Sequence, residues 1–431
     1  MASSGTGLKA AWDRSDRIFS LLAPDAICSR PIPLRQPFLF YVGHLPGFAW
    51  NQLARGAAGR ASFNARFDEL FERGIDPPDD AEPGVDDPLA WPSLEQVLEY
   101  RDRVRVELPH LLEHPVVQEV LPMVLEHELM HHETLLYMVH ELSPSLKRRP
   151  ADLRAPERGA SPQRRVVQVP AGCARLGAPR DGRFRWDNEL GALAVHVPAF
   201  GMDALPVTNR DYLAFADAGG YRDARLWSED GWAWRERRGL HAPPFWSRNP
   251  AGIRVRTLFD EVDFGEAADW PAYVTHCEAS AFARWAGARL PTEPEFHRAA
   301  FVMPDGEHNE HPWSDAPPGA EHGNFGFHQW GPTPVGSFPE GKSAWGIHEL
   351  VGNGWEWTAS AFAPFPGFEP MPRYPGYSAD FFDGRHFVML GASWATDLRL
   401  VRRSFRNWFQ PHYPYVFAKF RCVRAANITH S

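Results

Sequence analysis

His127-Glu128-Leu129-Met130-His131-His132-Glu133 lies inside a long apolar period, Val116–Leu142, and together they read as a helix that carries a metal. Histidines four residues apart lie on one face of a helix, so both imidazoles reach a single ion. The same letters satisfy H-E-x-x-H, the zinc-peptidase pattern in which Glu128 would be the general base. Pro122 falls within the period, so the helix either begins or kinks there. Ser143-Pro144-Ser145 ends it.

Around this segment, apolar residues recur at helical spacing in Asp16–Leu22, Phe63–Phe71 and Leu94–Leu108, which predicts a helical bundle over residues 1–146. Facing side chains inside a bundle are a natural place for a metal. Residues 147–165, from Lys147-Arg148-Arg149-Pro150 to Gln163-Arg164-Arg165, are basic, rich in Pro and Ala and without an apolar period. They read as an exposed linker with a solvated charge run. From Val166 to Ser431 helical period is scarce apart from Ala279–Gly287. Short β-rich runs, Gly, Pro and Trp dominate instead. The expected class is α+β, a helical bundle followed by an irregular domain over 166–431. There are no internal repeats, and no Gly-rich phosphate-loop pattern points to a nucleotide.

A chain of 431 residues has room for two cores. Its formal net charge of −9 argues against nucleic acid as a partner, because such binders concentrate basic residues on one face. No stretch approaches the ~20 apolar residues of a membrane span, and the N-terminus lacks an apolar signal core. The cysteines Cys28, Cys173, Cys277 and Cys422 are far apart and form no CxxC, which fits a reducing cytoplasm. The 17 Trp suit a loop-rich domain with large rings in its core, a minority being available to bind a cation or a flat ring.

A mononuclear site needs a third ligand. His44 stands in the apolar run Phe40-Tyr41-Val42-Gly43-His44-Leu45-Pro46, where a surface histidine would be out of place. A zinc peptidase finds its third ligand downstream. Here His140 follows on the same helix with no turn between, and the longer H-E-x-x-H-x-x-G-x-x-H pattern is absent. Three neutral histidines leave positions open on one face of the ion, which suits iron(II) holding dioxygen and a substrate together. Glu133 lies off the ligand face, where it either orients an imidazole or is structural.

The segments FYVGHLPGF (40–48), FDELFERGIDP (67–77) and HELMHHETLLYM (127–138) resemble the DinB-like bundle of the ergothioneine-pathway sulfoxide synthases. The second domain resembles the formylglycine-generating-enzyme-like (C-type-lectin-like) fold fused to it in that family. Its marks are FRWDNE (184–189), PVTN (206–209), WAGARLPTEPEF (285–296), GNGWEWT (352–358), GASWAT (391–396) and the run RNWFQPHYPYVFAKFRCVR (406–424). The resemblance implies Fe(II) on His44, His127 and His131, with O2 as co-substrate. It implies coupling of a cysteine-type thiol to the imidazole C2 of hercynine (Nα-trimethylhistidine), with oxidation of the sulfur to a sulfoxide. Hercynine would be supplied by a separate histidine methyltransferase. Asn407 and Trp408 match the pair that contacts the betaine end of hercynine, for which an aromatic face is physically apt. Arg101 and Arg103 match the helix that supplies arginines for the thiol substrate's carboxylate, which arginine grips in bidentate fashion. Tyr377 falls in the region where the family has an active-site tyrosine, with Tyr374, Tyr413 and Tyr415 as competitors for that role. An O–H there can protonate a reduced-oxygen species and steer the reaction away from simple thiol oxidation.

Three departures bear on the thiol. Phe409 stands where bacterial members carry an acidic residue that helps bind γ-glutamylcysteine. Leu129 and Met130 replace glutamines, and the tyrosine pair of some cysteine-dependent members would fall near Gly74-Ile75 and is absent. Together they favour free cysteine over γ-glutamylcysteine. A selenoneine synthase and a histidine–cysteine sulfoxide synthase of the ovothiol route are the alternatives within the fold. The zinc peptidase and a non-catalytic binding module are those outside it. Cys422, in an apolar alternation, reads as a buried strand residue and not as a reactive thiol. GNGWEWT reads as a tight structural turn, and a structural Ca(II) on loop carbonyls near it is left open.

Overall fold

The computed structural model describes residues 4–72, 91–151, 153, 164–250 and 252–426. Most of the expected linker and the Gly74-Ile75 position lie outside the described residues. The chain divides into two compact units, Met1–Asp152 and Leu153–Ser431.

The first unit is helical: α1 (Ser4–Phe19), α2 (Phe38–Ala49), α3 (Ala65–Leu70), α4 (Leu94–Glu107) and α5 (Pro115–Glu141). Pro115 starts α5 at a position that needs no amide hydrogen. Pro122 lies inside α5, which runs on through it. The carbonyl that Pro122 leaves without an amide partner belongs to Gln118, an exposed residue, where water can take the bond. Beyond Pro122 the helix is buried on nearly every face, as expected of a central helix. It packs against α1 and against the Trp50–Ala57 segment.

Helix α2 was not expected from the sequence. All twelve of its residues are buried, so it has no polar face and no readable period. It continues without a break into a π-helical stretch, Trp50–Ala57, a wider winding that recurs at functional sites. Gly43 is required by close packing: a Cβ there would lie 2.3 Å from the Phe71 ring. The period read over Asp16–Leu22 belongs to a helix that starts twelve residues earlier, at Ser4, and stops at Phe19.

The second unit holds β1 (Val166–Val169), β2 (Gly172–Leu176), β3 (Leu193–Val197), β4 (Phe200–Asp203), α6 (Asn209–Asp217), α7 (Glu229–Arg238), β5 (Trp246–Asn249), β6 (Gly252–Arg256), β7 (Glu261–Asp263), α8 (Phe264–Ala267), α9 (His276–Trp285), α10 (Glu293–Phe301), β8 (Gly354–Ala361), β9 (Phe387–Ala392), β10 (Asn407–Phe409), β11 (Ala418–Lys419) and β12 (Val423–Ala425). Its sheets run β1-β4-β12, β10-β9-β8-β11, β2-β3 and β5-β6-β7. All pairings are antiparallel except β8 with β11. One core gathers Phe200, Met202, Phe296, Val388 and Leu390 with α10.

This unit is more helical than its sequence period indicates. Helices α6, α9 and α10 each open on a capping box, Thr208 with Asp211, Thr275 with Glu278 and Thr292 with Glu295. The T-x-x-[DE] spacing was legible even though helices of about ten residues are too short to show a stripe. In GNGWEWT, Asn353 takes a left-handed turn (φ 61°). Its amide group bonds to Thr333 and Asn324, so this motif is structural. Lys419 and Arg421 pair with Glu356 in the interior and tie β11 to β8. Cys422 is buried, and burial pushes its thiol up.

Candidate metal centre

His127 and His131 project from one face of α5, and His44 reaches the same point from α2. The Nε2 atoms of His44 and His127 each stand 3.2 Å from Nε2 of His131. Among the described residues, these three make the one group of potential ligands whose donor atoms lie within 4.8 Å of one another. At metal–nitrogen lengths of about 2.1 Å, ligands of one ion stand about 3.0–3.4 Å apart. The spacing therefore fits a shared ion.

The tautomer of His44 fits as well. Its Nδ1 is 2.7 Å from the Phe71 carbonyl, so Nδ1–H donates there and the Nε2 lone pair faces the other two rings. Burial holds His44 down to about 4. Burial first, and the neighbouring imidazoles second, hold His127 and His131 well below the ordinary histidine range. All three stay neutral at pH 7, as metal ligation requires. Lone pairs that face one another in an apolar pocket repel, and a cation at their centre relieves that repulsion. Phe48 stacks on His127 at 3.6 Å and Phe40 on His44 at 4.9 Å. These rings fix the imidazole planes and exclude water from their outer faces. The Phe71 carbonyl and the Phe48 ring were not named from sequence, and no spacing signals them.

Glu128 is outside the cluster. Its carboxylate accepts a hydrogen bond from Ser15 Oγ at 2.6 Å, and Ser15 Oγ is 2.9 Å from His132 Nε2. Burial raises Glu128 to about 7. A carboxylate committed to α1 is badly placed to activate a metal-bound water, which the zinc-peptidase reading needs. Arg101 is partly buried and pairs with Asp16 at 3.3 Å and with Asp102 at 2.7 Å. Arg103 is exposed, its guanidinium 4.3 Å from the centre of the Phe63 ring. Arg105, not named from sequence, takes the second oxygen of Asp16 at 2.7 Å.

In the second unit Tyr377, Asn407 and Trp408 come together. Trp408 stacks flat on Phe362 at 4.2 Å and meets Tyr377 edge-on at 5.4 Å. Tyr377 in turn stacks on Trp186 at 3.9 Å. Asn407 Oδ1 accepts from the Trp408 amide at 2.9 Å. β10, which carries the pair, is held in register on β9, Trp408 opposite Val388. The FRWDNE segment fixes the rest. Ser378, next to Tyr377, donates to Asp187, and Asn188 Nδ2 donates to Ser378 Oγ at 3.0 Å. Glu189 accepts from Arg402 and from Ser404 Oγ at 2.6 Å, and buried Arg406 pairs with Glu293 at 2.9 Å. The sequence marked FRWDNE as a fold signature without revealing that it anchors the Tyr377 loop.

Residues 153–426 match the family model described as the sulfatase-modifying factor enzyme 1-like domain, and residues 8–135 match the DinB superfamily. A "Hercynine oxygenase" from Mycolicibacterium thermoresistibile is 45% identical over 56% of this chain and 54% of its own length. "Ergothioneine biosynthesis protein 1" from Neurospora crassa is 32% identical over 97% of this chain and 57% of its own. The chain thus spans little more than half the length of these curated relatives. Among solved structures, PvdO from Pseudomonas aeruginosa aligns over 60% of this chain and 94% of its own at 20% identity, with a TM-score of 0.37. No helix among the described residues is long and apolar enough to cross a membrane.

Proposed function

The chain belongs to the sulfatase-modifying factor enzyme 1-like family, in the DinB-fused form its motifs indicated, and on that premise we propose that it is an iron(II)- and O2-dependent sulfoxide synthase. It joins a cysteine-type thiol to the imidazole C2 of hercynine in ergothioneine biosynthesis. The observation that carries the reading is the convergence of three buried, neutral imidazoles on one point, in a chain similar over nearly its whole length to an ergothioneine biosynthesis protein. The reaction closes without an added reductant. Imidazole C2–H and thiol S–H are lost and a C–S bond forms. One oxygen atom of O2 goes to sulfur and the other leaves as water with the two hydrogens.

His44, His127 and His131 would hold the iron, which supplies open positions for O2 and the thiol. The chain's other residues bind and move protons. Trp408, braced by Phe362, offers an aromatic face to a trimethylammonium, which cannot donate a hydrogen bond. Asn407 supplies an amide for the adjacent carboxylate. Tyr377 provides an O–H as proton donor. Arg101 is the better candidate for the thiol substrate's carboxylate, because Arg103 is the more exposed of the two. A cytoplasmic setting and a partner methyltransferase that supplies hercynine complete the proposal.

The test is anaerobic reconstitution with iron(II), followed by hercynine, cysteine and air. Oxygen uptake with a product at the mass of the coupled sulfoxide, lost in His127→Ala, is expected. Formation of cysteine sulfinate alone, or binding of zinc in place of iron, would overturn the proposal.

A further inference from the structure

Four arginines of the second unit lie near one another and, among the described residues, none forms an ion pair with a carboxylate: Arg175 on β2, Arg298 on α10, and Arg185 and Arg403 on loops. Arg298 is the most confined. It is 5% exposed, and its Nε and Nη1 are buried and make no hydrogen bond. Its guanidinium lies against Gly172, where an added Cβ would come within 2.7 Å of it, and 5.0 Å from the centre of the Trp345 ring. Arg403 reaches the Arg175 carbonyl at 3.3 Å, and Arg185 reaches the Phe184 carbonyl at 2.8 Å. Nε is buried and unbonded in both. His308 stands among Arg175, Arg298 and Arg403, whose charges add to burial in disfavouring its protonation.

A guanidinium stays charged at any working pH. Arg185, Arg298 and Arg403 are at least partly buried, and exposed Arg175 adds its charge to theirs. Cations so placed without an ion-pair partner repel one another and lose hydration, so such a group persists where an anion compensates it. Two acidic groups, Glu310 and Asp315, act on Arg403. Four arginines against two carboxylates leave two positive charges in excess. A carboxylate ligand would neutralise one of them. A phosphate group carries about −1.5 to −2 at pH 7 and several acceptor oxygens, which matches both the charge and the unbonded donors.

We propose that Arg175, Arg185, Arg298 and Arg403, with His308 beside three of them, form a binding site for a phosphate group. The site lies wholly within the second unit and involves none of the residues assigned above to metal or hercynine. Its test needs no loaded iron and stands whether or not the proposed activity does.

The test is calorimetric titration of the full chain with inorganic phosphate, with sodium chloride at matched ionic strength as the blank. Saturable one-site binding is expected. Arg175→Gln, on the exposed face of β2, and Arg298→Gln should each weaken it about tenfold, the scale of one charge-assisted hydrogen bond. Acetate should bind at least tenfold more weakly than phosphate. O-phosphoserine in a parallel titration separates the sources. Tighter binding than inorganic phosphate assigns the site to a phosphate monoester, and equal or weaker binding assigns it to the free ion. Heat that does not saturate, or equal affinity in the wild type and in Arg175→Gln, overturns the proposal even if Arg298→Gln fails to fold.

Discussion

In the N-terminal unit three imidazoles converge from two continuous helices. In the C-terminal unit Trp186, Tyr377 and Trp408 meet from loops and a three-residue strand. The first arrangement is fixed by backbone geometry, since residues i and i+4 of α5 have no choice but to share a face. The second is fixed by buried side-chain bonds, Asp187 to Ser378 and Glu189 to Arg402 and Ser404. Helices hold a metal set rigidly at low cost in side-chain bonding. A loop-built wall needs polar anchors beneath it, and its FRWDNE segment supplies them.

The same contrast governs what could be read in advance. His127 and His131 were legible because periodicity converts spacing into proximity. His44 was legible as an oddity, an imidazole in an apolar run, while its helix was not, because α2 is buried all round. The meeting of Tyr377 with Trp408 was not legible, because no periodicity relates two loop-borne rings. Nor was the turn of Glu128 toward Ser15, since their positions differ by 113 in the chain. Family resemblance gave the positions of the second-unit residues, and the structure gave their contacts.

The largest effect expected is from removal of a ligand. His44→Ala or His131→Ala should lower iron affinity by more than ~100-fold, beyond what loss of an outer partner of a ligand costs. Anaerobic metal titration reads it, and retention of iron would break the contrast between the units.

Acid should separate the two next. A buried histidine held neutral has a folded pKa below 6.5, so the unfolded chain takes up its proton first. Stability is intact above about pH 6.5 and falls as pH drops toward about 4, by about 2 kcal/mol at pH 5 for a histidine such as His44. The first unit has four such groups, His44, His127, His131 and His132. Among those equally buried, the second has three, His276, His297 and His311. Limited proteolysis of the metal-free chain between pH 7 and 5 should cut the first unit before the second. The reverse order would show that the buried imidazoles are not what limits it.

Gly43→Ala tests how rigid the helical site is. The new Cβ meets the Phe71 ring, whose backbone carbonyl orients His44. Destabilisation of about 1–3 kcal/mol and iron affinity about 10–100-fold weaker are expected from urea unfolding and metal titration. Trp408→Phe is the smallest change. It keeps a flat ring on Phe362 and should weaken hercynine binding by less than ~1 kcal/mol, while Trp408→Ala should cost more. Unchanged hercynine affinity in the alanine variant would remove the loop-built wall from the substrate site.

The most direct measurement is the fate of labelled oxygen. The iron-loaded chain is given hercynine, cysteine and 18O2, and the product is read by mass spectrometry. A coupled sulfoxide carrying one labelled oxygen, absent from His131→Ala, is the predicted result. An unlabelled product, or label found in cysteine sulfinate alone, would contradict it.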